Sequence, residues 1–144
     1  MIKASFTSLL AALCLLQPGA ASAQVPPTDS AINEAIRRQA DTIVLRQRLI
    51  EAERATASNE LPLAAKLYED ALSLHRRIGS GVDAEGVRAA EGMTQVRTEL
   101  ARQAQARHDY READVQLNRV LTIAPDDLVA TELKKNSSDC PLPV

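Results

Sequence analysis

The chain has 144 residues, and its 17 Lys and Arg against 19 Asp and Glu leave a formal net charge of −2. That balance holds no basic excess to neutralise phosphates, which excludes nucleic acid as a partner. Aromatic side chains make up 2% of the residues, too few for base-stacking platforms, so the core must come from Leu, Ile, Val and Ala and is modest in volume.

Residues 1–23 read as a secretory signal peptide. Lys3 supplies the positive start, Leu9 to Leu16 the short apolar run, Gln17-Pro18-Gly19 the break and Ala21-Ser22-Ala23 the small-x-small cleavage site. The run falls well short of the roughly 20 apolar residues a spanning helix needs. Leu13 is bulky where a lipoprotein signal wants a small residue, which argues against lipidation at Cys14. Cleavage would leave 121 residues, a net charge of −3 and Cys140 as the remaining cysteine, so no internal disulfide framework is expected. No later segment has the length and apolarity of a membrane span. The expected product is exported, periplasmic or secreted, and of one-domain size.

Residues 24–30, with Pro26-Pro27, form an expected extended linker, with Asp29 or Ser30 as helix cap. The first helix is expected over Ala31–Ser58, free of Gly and Pro, with Ile32, Ile36, Ile43, Leu49, Ile50, Ala52 and Ala55 at helical spacing. Asn59-Glu60 ends it. Pro62 suits the first turn of a second helix, which runs to Ile78 before the Gly79-Ser80-Gly81 stop. A third helix spans Ala84–Arg107; Gly86 and Gly92 each weaken it by about 1 kcal/mol relative to Ala, unless they admit a close neighbour. A fourth covers Tyr110–Ala124 and stops before Pro125. A short fifth, Leu128–Lys135, is capped by Asp126 or Asp127 and ends on cations that suit its dipole. Residues 136–144 read as a disordered tail. No segment has the pattern of a strand.

One motif occurs twice. Ala64-x3-Tyr68-x2-Ala71-Leu72-x-Leu74 recurs as Ala113-x3-Leu117-x2-Val120-Leu121-x-Ile123. Small and bulky residues alternating at helical spacing let another helix sit close, so Ala64, Ala71, Ala101 and Ala113 are expected at close contacts and Tyr68, Tyr110 and Leu117 in the gaps between them. Neither hairpin can bury both its faces alone, so the two are expected to stack.

These residues resemble the tetratricopeptide repeat family, whose unit is a helix–turn–helix of about 34 residues. Over Gln95–Pro125, Leu100-Ala101 stand at the family's Leu-Gly pair, Ala104 at its helix-A Tyr, Asp109-Tyr110-x-Glu112-Ala113 at the turn into helix B, and Leu117, Val120 and Pro125 at the later positions. Over Leu45–Ile78, Ala52, Leu61, Ala64, Tyr68 and Ala71 match, while Glu51 and Arg76 replace the helix-A Leu and the closing Pro. Ala64 and Ala113 lie 49 residues apart, a surplus over the family period of about four helical turns, expected in the Gly79-Ser80-Gly81 turn and a lengthened helix A. The resemblance implies an all-α right-handed solenoid: two stacked antiparallel hairpins, repeats near 45–78 and 95–128, and a short C-terminal helix. It also implies a concave groove for a peptide or helix of a partner protein, lined by Arg46, Leu49, Glu53, Gln95, Thr98, Arg102 and Gln105. Leu49-Glu53 and Thr98-Arg102 stand where the family's carboxylate clamp would be, which disfavours a carboxylate-reading adaptor.

Catalytic and metal constellations are missing from the pattern. His75 and His108 lie in different elements beside arginines, and no His-x3-His or Cys-x2-Cys occurs. Gly79-x-Gly81 lacks the strand and the Gly-Lys-Ser/Thr ending of a nucleotide loop. Glu69-Asp70 and Asp126-Asp127 read as solvated face and helix cap rather than as carboxylates held across a cleft. The expected function is therefore non-enzymatic and needs no cofactor or metal. Signal peptide, long first helix and divergent repeats together resemble periplasmic repeat segments of bacterial envelope machinery, including those ahead of outer-membrane secretins. The alternative expectation is a self-associating helical subunit, a homo-oligomer.

Overall fold

The computed structural model describes residues 28–138. Among them the chain forms five helices and no strand: α1 (Asp29–Ala57), α2 (Leu61–Ile78), α3 (Asp83–Ala106), α4 (Tyr110–Ile123) and α5 (Leu128–Ser138). The all-α class read from the sequence is observed. The expected signal peptide, the expected linker up to Pro27 and the tail from Asp139 lie outside the described residues.

Two boundaries differ from expectation for identifiable reasons. Thr28 is the cap of α1, its Oγ1 accepting from the Ala31 N–H at 3.4 Å. Asp29 and Ser30 are consequently helical, and Asp29 sits in the first turn, where its charge suits the dipole. At the other end α5 continues past Lys135 to Ser138. The Gln105 amide of α3 donates to the Leu133 carbonyl at 2.9 Å and to the Ser137 hydroxyl at 2.6 Å, which ties those last residues to the body. Asp127, not Asp126, caps α5, accepting from the Ala130 N–H at 2.8 Å.

The internal repeat is visible in the turns. Asn59 (φ 58°) and His108 (φ 61°) are the two non-glycine residues with left-handed backbone among those described, and they are 49 residues apart, like the motif alanines. The Asn59 N–H donates to Thr56 and the Glu60 N–H to Ala55; the His108 N–H donates to Gln105 and the Asp109 N–H to Ala104. Both sets form the paired bonds that close a helix over one left-handed residue. Each hairpin, α1–α2 and α3–α4, thus turns by the same device.

The 49-residue period is filled by helix rather than loop. α2 has 18 residues and α3 has 24, against 14 in α4. α3 is continuous through both glycines, and the extra turns of α2 and α3 pack on each other there. A Cβ on Gly86 would fall 2.4 Å from the His75 ring and one on Gly92 would fall 2.2 Å from the Tyr68 ring. The glycines are the sockets that let the two helices approach.

The core follows the motif. Ala64, Ala71, Ala101 and Ala113 are fully buried, as is Leu117, and Tyr68 is nearly so. Tyr110 does not fill a gap: it is half-buried and meets the His108 ring edge-on with centroids 6.1 Å apart. Leu45, Leu49, Ala52 and Ala55 are the buried residues of α1, whereas Ile32, Ile36, Ile43 and Ile50 are exposed. The long apolar series in α1 is therefore two faces, one turned to the core and one away from it. α3 is the hub, in contact with each of the other four helices, while α2 and α4 share no close backbone approach.

Candidate functional site

The seven residues implied for a partner groove do not form one surface. Leu49 is 1% exposed and belongs to the core. Leu45, Leu49 and Ala52 follow the i, i+4, i+7 spacing of the buried face, so Leu49 cannot present itself to a partner. Arg46 and Glu53 are exposed but engaged between α1 and α3. The Arg46 Nε donates to the Glu85 carboxylate at 2.8 Å, and the Arg88 guanidinium donates to Glu53 at 2.5 Å. The Arg46 hydrogen bond holds the Glu85 carboxyl below its ordinary pKa of 4.5. Gln105 is spent on the anchoring of α5 described above.

Gln95, Thr98 and Arg102 do come together. They line a shallow depression of about 480 Å³ on α3, closed on its far side by Ile123, Ala124, Asp127 and Val129 of the α4–α5 turn. Gln95 and Arg102 are exposed and Thr98 is buried. Arg102 approaches Glu99 at 3.6 Å, with about half of each side chain open to solvent. The depression combines an apolar wall, the amide and hydroxyl groups of Gln95, Thr94 and Thr98, the carboxylates of Glu91 and Asp127, and one cation, Arg102. That is suited to holding a polypeptide segment.

A second depression, about 610 Å³, lies between α2 and α4 with Met93 of α3 among its lining. At its edge is a polar cluster that the sequence pattern did not reveal. Arg97 is 3% exposed. It donates to the Gln116 amide oxygen at 2.5 Å, to the Glu69 carboxylate, and through Nε to the Met93 sulfur at 3.2 Å. Gln116 in turn donates to Glu112, and Arg119 reaches Glu69 at 3.4 Å. Burial pushes the Arg97 pKa down and the neighbouring Glu69 charge opposes that; the guanidinium stays charged. Each polar group in the cluster has a partner, so it serves to fix the register of α2, α3 and α4. Glu69 is thus a half-buried ion-pair partner rather than part of a solvated face, while Asp70 is exposed.

Among the described residues no three His, Cys, Asp or Glu side chains gather as a metal site, and no helix is long and apolar enough to cross a membrane. His75 lies under Gly86, and His108 pairs its Nδ1 with the Tyr110 hydroxyl at 3.1 Å. No family model, curated protein or solved structure matches the chain.

Proposed function

We propose that this chain is an exported, tetratricopeptide-like scaffold that holds a peptide or helix of a partner protein within a bacterial envelope assembly, in the periplasm. The observation that carries the reading is the repeated hairpin. Two helix pairs close through the same backbone turn 49 residues apart and stack on a shared central helix, with α1, α3 and α5 as successive neighbours. A stack of that kind leaves one set of helices to form a binding face. The partner segment lies across Gln95, Thr98 and Arg102, against the apolar wall of the α4–α5 turn.

The test is a photo-crosslinkable residue placed at Gln95, at Arg102 or, as a control, at Arg76 beside the other depression. Applied to the native envelope fraction, the first two positions recover one and the same envelope protein and Arg76 does not. An Arg102→Glu change introduced beside the Gln95 probe abolishes that product. Recovery from all three positions alike, or from none, would reject the groove.

A further inference from the structure

The outward face of α1 carries a pattern that the partner groove does not use. Ile32, Ile36, Ile43 and Ile50 are 43%, 60%, 64% and 42% exposed, on a helix whose buried residues Leu45, Leu49 and Ala52 face the opposite way. Ile36, Ile43 and Ile50 are seven residues apart, the spacing that keeps an apolar seam against one partner helix. Gln39 and Gln47 are exposed and complete the seam between them.

From Ile36 to Ile50 the seam is symmetrical. Read outward from Ile43 in either direction, the residues are Gln at four positions, Ile at seven and a long side chain at eleven: Gln39, Ile36 and Ile32 on one side, Gln47, Ile50 and Arg54 on the other. Such a seam is complementary to an antiparallel copy of itself, because across a two-fold axis each residue i meets residue j and j meets i.

We infer that two copies of this chain pair through α1, antiparallel, with the two-fold axis at Ile43. Ile43 meets its counterpart, Ile36 meets the other copy's Ile50, and Gln39 meets the other copy's Gln47 as an amide pair. Gln47 donates to Glu51 at 3.0 Å in the single chain and exchanges that bond for the amide. The ends settle the direction. Arg54 lays its stem over the other copy's Ile32 and brings its guanidinium within a turn of that copy's Asp29, in the first turn of α1. A parallel pair would set Arg54 against Arg54 and Asp29 against Asp29. Antiparallel pairing also sets each helix N-terminus beside a C-terminus, which the dipoles favour. From Asp29 to Arg54 the seam is about 38 Å long. This pairing does not rest on the groove reading: it uses the other face of α1 and leaves Gln95 and Arg102 open.

The experiment is sedimentation equilibrium of the full chain together with disulfide mapping in a Cys14→Ser, Cys140→Ser background. The wild type sediments as a dimer that dissociates on dilution. Ile43→Glu weakens the dimer by about 100-fold or more, since two carboxylates would meet at the axis, with helicity by circular dichroism unchanged because Ile43 is outside the core. Under mild oxidation Ile43→Cys links to itself. Ile36→Cys does not, but it links to Ile50→Cys when the two variants are mixed. A wild type that stays monomeric at the highest concentration, leaving the seam for a different helix, overturns the proposal. So does a dimer that survives Ile43→Glu, or an Ile36→Cys chain that links to itself as fast as Ile43→Cys.

Discussion

At the scale of single residues, the tightest of the described glycine sites is the socket under Tyr68. Gly92 on a helix interior costs about 1 kcal/mol against Ala in propensity alone, so an exposed Gly92 would be a place to stabilise the protein. Here the added methyl would sit 2.2 Å from Cζ of a ring that is only 4% exposed. Overpacking of a closed site costs about 1–3 kcal/mol, which exceeds the propensity gain. Gly92→Ala is therefore expected to lower stability by up to about 2 kcal/mol in urea denaturation, and a variant more stable than wild type would show that the ring yields. The sequence offered both sides of this outcome, since a glycine inside a helical pattern is either a weakness or a close approach. Only the position of Tyr68 decides. Arg97 was not legible at all. Charged residues at helical spacing read as solvated, and Arg97 is buried because α3 is covered by four neighbours, a fact that no local pattern carries.

At the scale of elements, the helices were readable because their ends are punctuated: Pro62 in a first turn, Gly79 (φ 79°) after Ile78, Asp109 and Asp127 as caps. What holds neighbouring helices in register was less readable, since it depends on polar pairs distant in sequence. Arg38 of α1 donates to the terminal Ile78 carbonyl of α2 at 2.6 and 3.2 Å, and Arg77 grips the Asp41 carboxylate with two bonds of 2.8 and 2.9 Å. The Arg77 hydrogen bond holds the Asp41 carboxyl below its ordinary value of 3.8. A carboxyl whose folded pKa is depressed contributes stability that is fully present above its unfolded pKa and is lost as pH falls through the folded one. Glu85, held low by Arg46, acts in the same direction. The melting temperature is thus expected to be flat down to about pH 4.5 and to fall below it. Asp41→Asn should melt lower than wild type near pH 6 and lose less on acidification. Parallel acid profiles for the two proteins would remove the pair from the account. The effect is small and weakens with salt, because the Arg77 side of the pair lies in solvent.

The faces of the helices were harder than their ends. In α1 the apolar residues had been one series by spacing, and the structure divides them into Leu45–Leu49–Ala52 toward α2 and α3 and the isoleucines away from both. A helix longer than its partner drifts through more than one environment, and α1 has 29 residues against the 18 of α2. The same division removed Leu49 from the groove. A family position transfers a residue number, whereas the face is set by the phase of this particular helix.

At the scale of the whole molecule, two apolar clusters lie end to end along α3. The first runs from Leu45 to Val96, is built partly of Leu, Ile, Met and Tyr, and is joined by Ile123 from α4. The second, from Ala101 to Ala130, holds four alanines with Leu117 and Val120. Between them on α3 come Arg97 and Thr98, both buried. Apolar area sets most of the stabilisation, so the alanine-rich second cluster is the weaker unit. Stacked units exchange stability through the layer they share, and here that layer is the Arg97–Glu69–Gln116 cluster. Hydrogen exchange should therefore release α4 and α5 before α1 and α2. Leu117→Ala, which removes the largest fully buried side chain of the weaker cluster, should cost about 2–4 kcal/mol and strip protection from α4 and α5 while α1 and α2 keep theirs. Arg97→Ala should act on the coupling instead. It leaves Gln116 buried without its donor, costs about 1–3 kcal/mol, and divides a single thermal transition into two, the first reporting on α4 and α5. If Arg97→Ala lowers every helix together in one sharp transition, the two clusters unfold as one body, and the polar layer is a passenger in a common core rather than the joint between two units.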